Sequence, residues 1–192
     1  MGKVYKLPAI EARLVKRCQR GDAAAQRELY RRYAGGMYTV CLRYCKRREE
    51  AEEVLSNGFV KVFRRLDQFH GHGSLGAWIK TIMVREALNF LRYHKNRFEE
   101  MDEERDYGHR QEEEALEAEH LLRLVRSLPT GYQTVFNLYA LEGYGHQEIA
   151  AQLGISESTS KTQLRKARQQ LQRLLENEGY TPKTVRYARE NG

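Results

Sequence analysis

The feature that most limits how this chain can fold is an acidic stretch, residues 98–120, which separates two basic blocks. The stretch contains 11 Asp and Glu against 2 Lys and Arg, whereas the counts are 9 against 21 in residues 1–97 and 6 against 10 in residues 121–192. Its first half lacks apolar periodicity, so we expect a flexible, self-repelling linker there. From about Glu112 onward its carboxylates suit the first turns of a helix, where the helix dipole is positive.

Both basic blocks have a helical pattern, with apolar residues at helical spacing and little strand-like alternation. Four helices are predicted in the first block, with Gly21 closing the first, and Asp22 and Ser74 capping the second and fourth. The third is expected at residues 49–66 and the fourth at residues 75–94. The second block is predicted to hold one helix that ends at Leu128, another at residues 132–141, and a final helix pair.

We therefore predict an all-α fold class, with two small helical domains joined by an acidic flexible linker. The predicted boundaries are residues 8–97 for the first domain, 98–111 for the linker, 112–177 for the second domain and 178–192 for a basic C-terminal tail.

The final helix pair, residues 147–171, has the pattern of a helix-turn-helix. Gly154 stands at the turn, Ser156 caps the second helix, and the apolar stripe of that helix begins at Leu164 and Ala167. Its other faces are basic, which is typical of a helix that enters the major groove of DNA. Such corners are also common in ordinary all-α domains, and basic faces are often only solvated, so these residues alone leave both interpretations open.

The composition narrows the class of function. A net charge of +7 and a pI near 9.3 favour an anionic partner. No run approaches the ~18 apolar residues of a membrane span, and the N-terminus lacks a secretory segment, so we expect a cytoplasmic protein without membrane insertion. Three cysteines, Cys18, Cys41 and Cys45, are too few for a disulfide framework. We find no metal-ligand cluster around His70 and His72, no phosphate-binding glycine loop and no nucleophile–base pair, so neither a cofactor nor an enzyme is predicted.

Two stretches, in this order, resemble an extracytoplasmic-function (ECF) sigma factor of bacterial RNA polymerase. AEEVLSNGFVKVFRRLDQF, followed by GSLGAWIKTIMVREALNFLRYHKNR, resembles sigma region 2, and LLRLVRSLPTGYQTVFNLYALEGYGHQEIAAQLGISESTSKTQLRKARQQLQRLL resembles region 4. The resemblance covers about residues 8–177, with no large region 3 between the two. It implies a dissociable subunit that gives polymerase core its promoter specificity, by reading the −35 duplex and melting the −10 element. The implied partners are RNA polymerase core (its β′ coiled coil and β flap), promoter DNA and an anti-sigma factor, and a monomer is expected.

The resemblance assigns polymerase binding to the third helix. The implied contacts are Glu52, Glu53, Ser56, Asn57, Val60 and Lys61. Family members usually have an Asp and a Gln-Glu pair where this chain has Glu53, Ser56 and Asn57. The chain thus lacks one long amide and one carboxylate, and we expect a tuned or weakened contact.

The resemblance assigns the −10 element to the fourth helix and the loop before it. The implied residues supply positive charge or hydrogen bonds, namely His70, His72, Ser74, Lys80, Arg85, Asn89, Arg92 and Lys95. Family members usually have Asn near the position of Arg85, so a phosphate contact is more natural there. Trp78 lies in the apolar stripe, and core packing is expected for it rather than base stacking.

The resemblance assigns the −35 element to the second helix of the pair. The implied residues are Ser156, Ser158, Thr159, Lys161, Thr162, Arg165, Lys166 and Arg168. Lys161 and Arg165 are four residues apart and share a face. We expect Arg165 to read a base and Arg168 to contact the DNA backbone.

Two alternatives stay open from the sequence. A helix-turn-helix regulator acting without polymerase core would explain residues 147–171 but leaves residues 49–97 without a role. The acidic linker is either a solvated tether or a mimic of nucleic acid in the RNA-exit path of the polymerase. Reversing the charges of residues 99–104 separates these two roles, since a tether leaves initiation and promoter escape unchanged.

Overall fold

The chain folds into helices that belong to two compact units, divided near residue 106. The structure is a computed structural model that describes residues 7–71, 73–94 and 113–179, with side chains in the last range from residue 120 onward. No strand occurs in these ranges. The all-α, two-domain fold class is therefore confirmed. The predicted linker, residues 98–111, and the tail from residue 180 onward lie outside the described residues.

The described part of the N-terminal unit, up to residue 94, contains four α-helices. They are α1 (Ala9–Gln19), α2 (Ala23–Leu42), α3 (Arg48–Arg64) and α4 (Leu75–Tyr93), with a 3₁₀ turn at Leu66–Gln68. Helices α3 and α4 begin and end within two residues of their predicted bounds. The end of the predicted third helix is where the chain tightens into the 3₁₀ turn.

The predicted helix ends of the N-terminal unit are confirmed. Gly21 follows α1 with a φ of +80°. The Asp22 carboxylate then accepts hydrogen bonds from the backbone amides of Ala24 (2.9 Å) and Ala25 (3.1 Å), and so caps α2. Ser74 caps α4 by accepting from the Ala77 amide at 3.1 Å. These bonds satisfy amides that a helix leaves without partners at its start.

Helices α2, α3 and α4 surround the core of this unit. Leu29, Val54, Val62 and Ile79 are all buried there. Helix α3 approaches α4 closely at Gly58, where a Cβ atom would collide with the Met83 side chain. Alanine at this position would therefore require the flexible Met83 side chain to move.

Residues 113–179 of the C-terminal unit contain four further α-helices. They are α5 (Glu113–Arg126), α6 (Thr130–Phe136), α7 (His146–Leu153) and α8 (Glu157–Asn177). Helix α5 is described from Glu113 onward, where the described range begins, so the start predicted near residue 112 stays a prediction. Leu128, Leu138, Ile149 and Ala167 are buried in the core of the unit.

One element of this unit differs from the prediction. The single helix expected at residues 132–141 begins at Thr130 and passes at Asn137 into a wider π-helical turn, Asn137–Leu141. Its backbone bonds skip one more residue than those of an α-helix, which changes the direction of the side chains that follow. Asn137 and Leu138 are buried, whereas Tyr139, Ala140 and Leu141 are exposed.

Candidate nucleic-acid and polymerase interfaces

The outer face of α3 is exposed as its helical spacing predicts. Glu52, Glu53, Ser56 and Asn57 are exposed, and the apolar side chain of Val60 is 45% accessible among them. A face that mixes polar groups with an exposed apolar residue is typical of a docking helix. Lys61 differs from the other five, because it is half-buried and its ammonium forms an ion pair with Glu86 of α4.

The loop between α3 and α4 turns through two glycines in the left-handed region. Gly71 has a φ of +77° and Gly73 one of +87°. Buried Phe69 packs on Trp78, with ring centroids 5.4 Å apart, whereas Trp78 itself is half-buried, so the core packing expected for it is only partial. His70 is exposed in this loop. His72 and Lys95 lie outside the described residues.

One exposed face of α4 is polar and cationic. Arg85, Asn89 and Arg92 recur at helical spacing along it. Arg92 donates a hydrogen bond of 2.5 Å to the Asn89 side-chain oxygen, so the Asn89 amide NH₂ is the group left to meet a base edge. Lys80 lies on a different face, five residues before Arg85, and is half-buried.

An aromatic group at the end of α4 is absent from the sequence-based prediction. Tyr93 is 88% accessible, and its ring lies 5.2 Å from that of His94, edge to face. The Phe90 ring also packs on His94, with 4.2 Å between centroids. The sequence feature that could have indicated this group is the short segment FLRYH, which contains three aromatic residues.

The beginning of α8 is closed by hydroxyl groups. The Ser156 hydroxyl accepts from the Thr159 amide at 3.0 Å and caps the helix, which confirms the predicted cap. It also lies 2.8 Å from the Ser158 hydroxyl and 2.7 Å from the Thr159 hydroxyl. Gly154, with a φ of +67°, makes the turn between α7 and α8 as predicted.

The basic residues of α8 differ in their surroundings. Lys161 is bound by Glu157 at 2.6 Å, and this hydrogen-bonded pair holds the pKa of the Glu157 carboxyl below its ordinary value. Arg165 is exposed, away from the buried Leu164–Ala167 stripe. Its guanidinium is therefore better placed than the Lys161 ammonium to meet a base without first breaking an ion pair.

A polar cleft of about 350 Å³ lies between α6 and the first half of α8. It is lined by Tyr132, Ser158, Thr159, Thr162, Gln163 and Lys166. The Lys166 ammonium lies 6.0 Å from the centre of the Tyr132 ring. Tyr132 and Gln163 were not in the predicted site. Tyr132 is far from α8 in the sequence and approaches it only in the folded chain.

An aromatic stack next to α8 carries an arginine. The Tyr139 ring lies nearly parallel to that of His146, with 4.7 Å between centroids and 24° between planes. The Arg168 guanidinium lies 5.6 Å from the centre of the Tyr139 ring. The His146 ring nitrogen Nδ1 lies 2.9 Å from the hydroxyl of the fully buried Ser160.

Metal-binding and membrane-spanning features do not occur in the described residues. No group of His, Cys, Asp and Glu side chains there is arranged to hold a metal ion. None of the described helices combines the length and the apolarity needed to span a bilayer.

Comparisons with known proteins agree with this geometry. The family profile "Sigma-70 region 2" matches residues 29–97, and "Sigma-70, region 4" matches residues 118–171. The first begins within α2 and includes α3 and α4, and the second runs from within α5 into α8.

Relatives match this chain over most of their own length. The ECF RNA polymerase sigma-E factor of Haemophilus influenzae is 26% identical over 85% of this chain and 94% of its own length. The RNA polymerase sigma-H factor of Pseudomonas aeruginosa is 24% identical, over 86% and 94%. A similar fold, at 19% identity, is that of the sigma factor RpoE of Bartonella quintana, solved in complex with the anti-sigma factor NepR. That alignment has a TM-score of 0.54 and covers 78% of this chain and 96% of that one. The chain belongs to the ECF class of the sigma-70 family, and it is an RNA polymerase sigma factor that directs promoter-specific transcription.

Proposed function

We propose that the two units divide promoter recognition between them. The N-terminal unit binds the β′ coiled coil of the polymerase through the outer face of α3 and holds the melted −10 strand along α4. The C-terminal unit reads the −35 duplex with α8 and rests on the β flap. The observation that carries this assignment is the helix-turn-helix, in which buried Leu164 and Ala167 fix α8 while Arg165 is exposed.

Within α8, we assign base reading to Arg165. A guanidinium can donate two hydrogen bonds to guanine O6 and N7, and such a pair contributes about 1–3 kcal/mol of discrimination. The hydroxyls of Ser156, Ser158 and Thr159 lie at the positive end of α8, which suits a backbone phosphate.

The remaining residues of the α8 set have supporting roles in this proposal. Thr162 and Lys166 line the cleft beside Tyr132, so contact with the edge of the major groove or a phosphate suits them. Lys161 reaches DNA only by leaving Glu157.

Within the N-terminal unit, Arg85, Asn89 and Arg92 form the face of α4 that is proposed to track the melted strand. Two cations supply attraction for the phosphates, and the Asn89 amide supplies a donor for a base edge. The exposed contacts proposed for polymerase are Glu52, Glu53, Ser56, Asn57 and Val60. Lys61 contributes through its ion pair with Glu86.

An anti-sigma factor is the further partner we propose. The support is a fold neighbour solved with such a factor, together with exposed apolar side chains on the α3 and π-turn faces of this chain. We propose a cytoplasmic location, because polymerase and the chromosome are the proposed sites of action.

The test is reconstitution with polymerase core. The purified chain should co-elute with core and support run-off transcription from a promoter that core alone cannot use. Arg165→Ala should flatten the response to base substitutions at one −35 position, whereas Arg168→Ala should weaken all promoters alike. Equal losses across the −35 series for Arg165→Ala would contradict the base-reading role, and tight duplex binding without core would favour a regulator that acts alone.

A further inference from the structure

We infer that Tyr139 is a positioning residue for promoter binding, whose ring holds the Arg168 guanidinium toward one DNA phosphate beside the −35 element. The inference rests on the proposed function, since it assumes that α8 meets duplex DNA. Neither Tyr139 nor His146 belongs to the set of residues that the sequence assigns to DNA.

The first support is the state of the Arg168 charge. Arg168 is exposed, and among the described residues it forms no ion pair, unlike Lys161 beside Glu157. Its guanidinium instead lies over the Tyr139 ring at 5.6 Å, within the range of a cation–π contact. A ring neutralises no charge, so the full attraction for a phosphate is kept while the side chain is held in one direction.

The second support is that the ring itself is fixed. Tyr139 stacks on His146 at the start of α7, and His146 is joined to buried Ser160 of α8 at 2.9 Å. Ser160 and Arg168 lie on the same helix, about two turns apart. The contacts therefore form a closed loop that leaves α8, crosses α7 and the π turn, and returns to α8.

The third support is the backbone that carries the ring. Tyr139 lies in the π-helical turn Asn137–Leu141, and π turns are found frequently at functional sites. Asn137 and Leu138 are buried, so the turn is anchored on one side while Tyr139 remains 36% accessible on the other.

The size of the effect follows from the contact. The ring already restricts the arginine side chain in the free protein. Less conformational entropy is therefore lost when the side chain is fixed on DNA. We expect removal of the ring to weaken promoter binding roughly two- to fivefold, the range of such exposed contacts. The salt dependence gives a second measure, because removing one interaction with a phosphate lowers the slope of log affinity against log salt by about one.

The experiment measures the affinity of reconstituted holoenzyme for a promoter duplex over a range of salt concentrations. Arg168→Ala should lose several-fold in affinity and about one unit of slope. Tyr139→Met, which keeps apolar volume but has no ring face, should lose affinity and part of that unit of slope, although tyrosine carries no charge. Tyr139→Phe should match the wild type, and the variant with both Tyr139→Met and Arg168→Ala should be no weaker than Arg168→Ala alone.

A wild-type salt slope in Tyr139→Met, or additive losses in the double variant, would overturn the inference. The proposed function is judged separately, by the −35 dependence of the wild type and of Arg165→Ala. A measurement on the wild-type protein tests the contact without depending on how the variants fold. In NMR spectra of the free protein, the Arg168 δ protons should be shifted upfield by the Tyr139 ring current, and ordinary shifts would contradict the contact.

Discussion

The ammonium of Lys61 on α3 forms an ion pair with the Glu86 carboxylate on α4, so the pair links the helix proposed to bind polymerase to the helix proposed to hold DNA. The Glu86 side chain is only 13% accessible, and that of Lys61 is 38% accessible. Carboxylates in such surroundings need a partner, because burial removes their hydration. Loss of the ion pair is therefore more costly for the less accessible Glu86 carboxylate than for the more exposed Lys61 ammonium.

Lys61→Met should lower the free energy of unfolding of the N-terminal unit by about 1–3 kcal/mol, because it leaves the Glu86 carboxylate without its partner. Trp78, the single tryptophan of the chain, reports on this unit, so urea unfolding followed by tryptophan fluorescence measures the loss. Lys61→Arg is the matched control and should stay close to wild type. Adding Glu86→Gln to Lys61→Met should recover most of the stability. If the double variant lost as much stability as Lys61→Met alone, the proposed role of the ion pair would be contradicted.

Gly154→Ala should destabilise the C-terminal unit by about 1–2 kcal/mol, because an L side chain at a φ of +67° meets the following carbonyl oxygen. Far-UV circular dichroism during urea unfolding measures this, and −35-dependent transcription should fall with it. Gly35→Ala in α2 is the control, and it should raise the free energy of unfolding instead of lowering it. A Cβ there has open space, and alanine in a helix interior is favoured by about 0.5–1 kcal/mol. Unchanged stability in Gly154→Ala would show that the turn tolerates another conformation.

Asp22→Asn should remove part of the pH dependence of stability. Hydrogen bonds from the Ala25 amide and from Arg17 hold the pKa of the Asp22 carboxyl below its ordinary value of 3.8. Because the unfolded chain binds this proton more readily, the contribution is complete above the ordinary pKa and is lost as pH falls through the folded one. Asparagine keeps an oxygen for the cap but cannot ionise.

Thermal melts from pH 7 to pH 2 test this prediction. Wild type should melt above Asp22→Asn near neutral pH, and the difference should shrink only below about pH 4, where the carboxyl begins to titrate. A difference that stays constant down to the acid end of this range would mean that the charge of Asp22 adds nothing to the cap.

The Cys41 thiol should be unreactive in the native protein. Burial raises its pKa to about 12, so at pH 8 only about one thiol in ten thousand is ionised, and the thiolate is the reactive form. Alkylation at this pH, with the labelled peptides identified by mass spectrometry, should leave Cys41 unmodified until urea is added. Rapid native labelling at Cys41 would indicate that α2 opens locally.

Local features of the fold were predictable from the sequence. Asp22, Ser74 and Ser156 cap helices because each needs only the amides two or three residues later. The exposed face of α3 follows from helical spacing alone, since every member of the set belongs to one helix.

The contacts that depend on tertiary structure were not predictable. Lys61 and Glu86 are 25 residues apart, and Tyr139, which lies in the π turn, meets Arg168 of another helix. Periodicity at 3.6 residues per turn assumes a regular helix, so it predicted one helix at residues 132–141. It could not indicate that the Tyr139 side chain departs from the α-helical pattern. Lys166 likewise meets Tyr132 across the cleft, which no spacing within α8 indicates.

The absence of a side chain at Gly58 has a mechanical consequence. Because position 58 carries no side chain, the Met83 side chain of α4 lies directly against the α3 backbone at that point. Under the proposed division of labour, one helix is held by the polymerase and the other by the promoter. A shift of α3 at the polymerase is then expected to reach the DNA-holding helix α4 through the Met83 side chain.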